Sequence, residues 1–270
     1  MRYFTKEWYG KMQNTNFHDC LKIDERADDF SDDFYKELYN DAKKTQLEFL
    51  EDVLDYNNFK NTLLKFTDFT EEEIENKFKK VNEDLFQGMT PDEYFERSNT
   101  ISIERLKNSI PENILNKVKD IRVLAFGYVS SEVYELIREY CVANEKFVEE
   151  KEIEYSKVLE EQFGDTPITF MQHSFHDCDI IDVYKDKDDL IIKLDNSDGF
   201  TGVEKLIFKN YNIILDESIK GCCWKYTEVY RNDDKYEVHI LALSNTIDMT
   251  FSFEKNSREM IICCKEIIVE

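Results

Sequence analysis

An α+β fold, with an all-helical part first and an antiparallel β-sheet domain of meander or sandwich-like form second, is predicted by three features of this 270-residue chain. Apolar residues recur every three or four positions up to about residue 164 and every second position beyond it. Helix-start chemistry clusters in the first region and turn chemistry in the second. Between the two, Gly164 and Pro167 bracket a break, so the expected domains are 1–164 and 165–270.

The helices follow in order. The segment Ser31 to Leu54 places Phe34, Leu38, Leu47, Leu50 and Leu54 at helical intervals, and its acidic run, Asp28, Asp29, Asp32 and Asp33, lies where a helix N-terminus favours negative charge. Thr70 and Glu73 have capping-box spacing, with Ile74, Phe78, Val81 and Leu85 as the stripe behind them. Thr90 and Glu93 repeat the device, with Pro91 at the first helical position, where its missing N–H costs nothing. Ser109 and Glu112, around Pro111, have the same spacing. Ser130 to Phe163 is the longest expected helix, carried by Val133, Leu136, Ile137, Tyr140, Phe147, Val148, Tyr155 and Leu159.

Three strands alternate cleanly: Leu190, Ile192 and Leu194; Tyr236, Val238, Ile240 and Ala242; and Ile247, Met249, Phe251 and Phe253. Turn signals at 186–188, 196–199, 209–210, 232–234 and 255–256 space them as hairpins. Trp224, Tyr226 and Tyr230 are expected on one strand face as core or interface aromatics, and His239, on the Glu237 face, is expected to be partly exposed.

Composition narrows the function classes. With 41% hydrophobic and 14% aromatic residues the chain can pack cores, which excludes disorder. Lys and Arg number 35 against 58 Asp and Glu, a net charge of −23, which argues against a nucleic-acid ligand, since that needs clustered positive charge. Both parts share the excess: 23 cationic residues against 38 anionic before residue 166, and 12 against 20 after it. Only seven glycines are present, too few for Gly-rich phosphate cradles. The opening MRYFTKEWYGKMQ lacks the apolar core of a secretory signal and no later stretch reads as a membrane span, so a cytoplasmic protein without a membrane partner is expected. Seven cysteines, an odd number in a chain of this size, read as free thiols; adjacent residues of Cys222-Cys223 and Cys263-Cys264 point to opposite strand faces.

One pattern suggests chemistry. Two of only four histidines lie in a repeated tetrapeptide, Phe17-His18-Asp19-Cys20 and Phe175-His176-Asp177-Cys178, with His173 three residues before the second. Imidazole, carboxylate and thiolate are metal ligands, so His18, Asp19, His173, His176 and Asp177 are candidates for one Zn²⁺ or another divalent transition metal, provided that the two segments meet. Consecutive residues cannot easily all ligate one ion, and neither Cys-x-x-Cys nor His-Glu-x-x-His occurs. A structural role competes and leads: imidazole and carboxylate before Ile180 would bond neighbouring backbone and lock the first hairpin, with no cofactor needed. A Cys–His nucleophile has no supporting context.

The stretches Met1 to Tyr9, Ile121-Arg122-Val123-Leu124-Ala125-Phe126-Gly127-Tyr128-Val129, and Gly199-Phe200-Thr201-Gly202-Val203 followed by Ile207-Phe208-Lys209-Asn210 resemble an uncharacterised bacterial family, domain of unknown function 4085. The resemblance spans most of the chain and implies no catalytic or binding residue. The β part, with its His-Asp pair before a strand and Asp189-Leu190-Ile191-Ile192-Lys193-Leu194, is also similar to small bacterial immunity-type β-domains.

The expected function is a non-enzymatic protein-binding module of antitoxin or immunity type, whose acidic surface covers another protein, such as a basic toxin. Its contact residues are expected at Asp28, Asp29, Asp32 and Asp33. The alternative is a metal-dependent hydrolase using the two Phe-His-Asp-Cys segments, in which a bound ion would activate water.

Overall fold

The computed structural model describes residues 1–65, 67, 69–86, 88–164, 167–245 and 253–270. The helices are α1 (Lys6–Met12), α2 (Asp32–Leu54), α3 (Tyr56–Leu63), α4 (Glu71–Phe86), α5 (Pro91–Ser109), α6 (Glu112–Leu115), α7 (Ile121–Leu124), α8 (Ser131–Phe163) and α9 (Phe253–Asn256). The strands are β1 (Lys22–Ile23), β2 (Tyr128–Val129), β3 (Asp179–Asp186), β4 (Asp189–Asp195), β5 (Lys205–Lys209), β6 (Asn212–Asp216), β7 (Cys222–Asn232), β8 (Lys235–Ser244), β9 (Ser257–Cys264) and β10 (Glu266–Val269). Helices precede an antiparallel eight-stranded sheet, so the fold is α+β. No helix among the described residues is long and apolar enough to cross a membrane.

By compactness the chain forms two units: Met1–His18 with Ile137–Glu270, and Asp19–Leu136. These cuts fall at other places than the change of periodicity at residue 164.

The Asp19–Leu136 unit is helical apart from a short parallel pair, β1 with β2. Its helix starts use side-chain caps. Ser31 Oγ accepts from Phe34 N at 3.2 Å, Thr90 and Glu93 form a full capping box, and Thr70 N donates to Glu73 Oε2 at 2.7 Å. At Pro111 the expected capping by Ser109 is replaced. Ile110, the residue before proline, takes extended backbone (φ −93°, ψ 134°), so α5 ends at Ser109 and Pro111 itself precedes α6 without a side-chain cap bond. Phe34, Leu38 and Val123 form a small core with Phe126 and Tyr128 against it. Gly127 must remain glycine: its φ is +82°, and a Cβ would lie 3.0 Å from Cys20 O.

The other unit is built on the sheet, ordered β10-β5-β4-β3-β7-β8-β9-β6. The hairpins expected at 186–188 and 232–234 join β3 to β4 and β7 to β8 through Lys187 and Asp233 in left-handed backbone, whereas the turn at 209–210, with Asn210 also left-handed, makes no hairpin: it leads from β5 to β6, which pairs with β9 at the other end of the strand order. One sheet face buries Ile180, Ile192, Leu206, Phe208, Trp224, Val238, Ile240 and Ile262 with Phe163, Phe170 and Phe175. On the opposite face, Leu241 and Leu243 pack against Trp8, Tyr9 and Val148, with Phe4, Tyr226 and Phe253 beside them. Helix α1 is started by Thr5, whose Oγ1 accepts from Trp8 N at 3.1 Å, and fixed by Trp8, whose indole N–H donates to Val148 O at 3.4 Å.

Three strand expectations change. Residues 247–252 of the third predicted strand lie outside the described residues, and Phe253 opens the helical turn α9. Trp224 and Tyr226 do not share a face: Lys225 is the extra residue of a bulge, so Trp224 pairs with Ala242 while Tyr226 pairs with Leu241, and one extra residue reverses the facing. His239 is 3% exposed rather than partly exposed, because the chain start covers its face of the sheet.

Candidate functional site

The second Phe-His-Asp-Cys segment occupies the joint between the two halves of the sheet. Strands β3 and β7 meet through a single register pair, Asp179 with Cys223. Just before it, Asp177 N donates to Trp224 O at 2.9 Å and Trp224 N to Cys178 O at 2.8 Å. Asp177 adopts φ 65°, a left-handed conformation that Asp tolerates better than most residues. Its Oδ2 lies 2.9 Å from His176 Nδ1 and its Oδ1 2.5 Å from Lys225 Nζ, while Cys223 Sγ donates to Oδ1 at 3.8 Å. The His176 ring stands edge-on to Tyr226, 5.6 Å between centroids.

The electrostatics of this cluster favour fastening over proton transfer. Burial pushes the Asp177 pKa up, but Lys225 and His176 outweigh it and the carboxyl stays below its ordinary value. Burial alone would lower Lys225, yet Asp177 and Cys223 hold its ammonium above the usual range. Burial raises the Cys223 thiol and Lys225 offsets this only in part, so Cys223 is a protonated thiol at neutral pH and not a thiolate nucleophile. Cys178 is fully buried behind the joint, its pKa also raised by burial, and a Cβ at Gly199 would collide with its Sγ.

A second polar group lies on the opposite edge of the same strand. Glu228 is fully buried and accepts from the backbone N–H groups of Arg2 at 2.8 Å, Tyr3 at 2.7 Å and Phe4 at 2.5 Å, and from Tyr230 OH at 2.8 Å. His239 bridges two carboxylates: Nε2 is 2.7 Å from Glu237 Oε1, and Nδ1 is 3.4 Å from Glu228 Oε2, a contact without hydrogen-bond geometry. Because the two ring nitrogens point in opposite directions, the carboxylates cannot share one metal ion with this imidazole. Burial pushes Glu228 up, but His239, the Arg2 and Phe4 amides and Tyr230 hold it down at about 2. Arg2 caps the group from outside, donating to Glu237 Oε1 at 2.6 Å.

His173 stands apart from both groups. It lines a cavity of ≈170 Å³ with Tyr155, Leu159, Phe170, Met171, Phe175, Thr227 and Val229. Its Nδ1 lies 3.4 Å from Thr201 Oγ1.

The remaining candidates lie elsewhere. His18 and Asp19 sit in a 3-10 turn, Phe17–Cys20, with His18 half-buried and Asp19 exposed. The structure thus brings His176 and Asp177 together and gives His173 a different environment. Among the described residues, no three His, Cys, Asp or Glu side chains gather as a set able to hold a metal ion. Asp28, Asp29, Asp32 and Asp33 are all exposed around the start of α2, and Asp32 pairs with Arg122 Nη2 at 2.9 Å.

Sequence reading missed Lys225, Glu228, Tyr155 and Thr227. No local signal marks Lys225, whose partner Asp177 is 48 positions away, or Glu228, whose backbone donors are 224–226 positions away.

A family model described as "Protein of unknown function (DUF4085)" matches residues 56–252. No curated protein and no solved structure matches the chain.

Proposed function

The chain belongs to the DUF4085 family, whose description assigns no activity, and from that premise we propose that it is a non-enzymatic protein-binding module for a basic partner protein. The observation that carries this reading is the exposed acidic surface at the start of α2, where Asp28, Asp29, Asp32 and Asp33 all face solvent in a chain of net charge −23. Among the described residues only Asp32 of the four is ion-paired, to Arg122. Unpaired exposed carboxylates cost nothing to offer to a cationic surface, and a complementary field speeds encounter and rejects acidic partners. An antitoxin or immunity role against a basic toxin is the concrete form of this reading. The raised thiols of Cys178, Cys222, Cys223 and Cys264 supply no nucleophile that would favour an enzyme instead.

The test is cross-linking in the native cell, followed by titration of the recovered partner at two salt concentrations. A stoichiometric basic protein is expected, bound more weakly at high salt and about tenfold more weakly by the Asp28→Asn, Asp29→Asn, Asp33→Asn triple variant. Absence of any stoichiometric protein, or binding indifferent to both salt and the triple variant, overturns the reading. The metal-dependent alternative would place one ion among His18, Asp19, His173, His176 and Asp177. Elemental analysis of chelator-free protein with and without His18→Ala and His176→Ala decides it.

A further inference from the structure

We draw no further inference here: the strongest candidate, the apolar row Tyr184, Ile191, Ile207 and Ile268 that the register carries across β3, β4, β5 and β10 on the sheet face opposite the Ile192 and Leu206 core, has nothing in the structure to show what covers it.

Discussion

Glu228 carries the heaviest electrostatic burden of any single residue described above. A fully buried carboxylate is tolerable here because three consecutive backbone amides, a phenol and an imidazole surround it. Since its folded pKa, about 2, lies below the ordinary glutamate value, its contribution to stability is present above the unfolded value and is lost as pH falls from about 5 toward 2. Glu228→Gln is therefore expected to cost about 3 kcal/mol at neutral pH, by leaving amide donors and His239 poorly matched. The same variant should flatten the acid limb of the stability profile. Denaturant titrations at pH 7 and pH 3 check both effects; parallel pH profiles for variant and wild type would remove Glu228 from this role. Asp177 behaves similarly on a smaller scale, because its partners Lys225 and His176 are partly open to solvent and screening weakens them.

Among the elements, the capping boxes and the bulge each convert one residue into a geometric decision. Thr90 satisfies the Glu93 amide at 3.2 Å while Glu93 Oε2 accepts from Thr90 N at 2.8 Å, so α5 begins where the sequence says it should. Thr90→Ala is expected to lower stability by about 1 kcal/mol, read from the shift in the urea midpoint. In β7 the bulge at Lys225 is the more consequential device. It places Trp224 on one face of the sheet and Tyr226, Glu228 and Tyr230 on the other, so a strand with alternation reset once can serve two cores. Periodicity could not show this, because a two-residue period read across a bulge assigns every later side chain to the wrong face.

At the scale of the molecule, the chain start completes the sheet-bearing unit. Trp8 is 1% exposed and packs with Tyr9, Val148, Leu241 and Leu243, and residues 2–4 cover Glu228. Deleting residues 1–12 is expected to uncover an apolar and charged sheet face, and so to bind a hydrophobic dye and lose several kilocalories per mole of stability. A truncated chain as stable as the whole, by thermal unfolding, would contradict that account.

By itself the sequence determined the α+β class, the extent of α2 and α8, the caps at Thr70 and Thr90, and the hairpin turns through Lys187 and Asp233. These depend on backbone hydrogen bonding and side chains a few positions apart, and such interactions are written in local spacing. Only the tertiary structure decided that the first residues belong with the sheet, that Glu228 and His239 are buried together, that Lys225 meets Asp177, and that His173 lines a cavity. Those placements join residues tens to hundreds of positions apart. They are set by which apolar surfaces bury one another when the chain closes, and spacing along the sequence does not encode that.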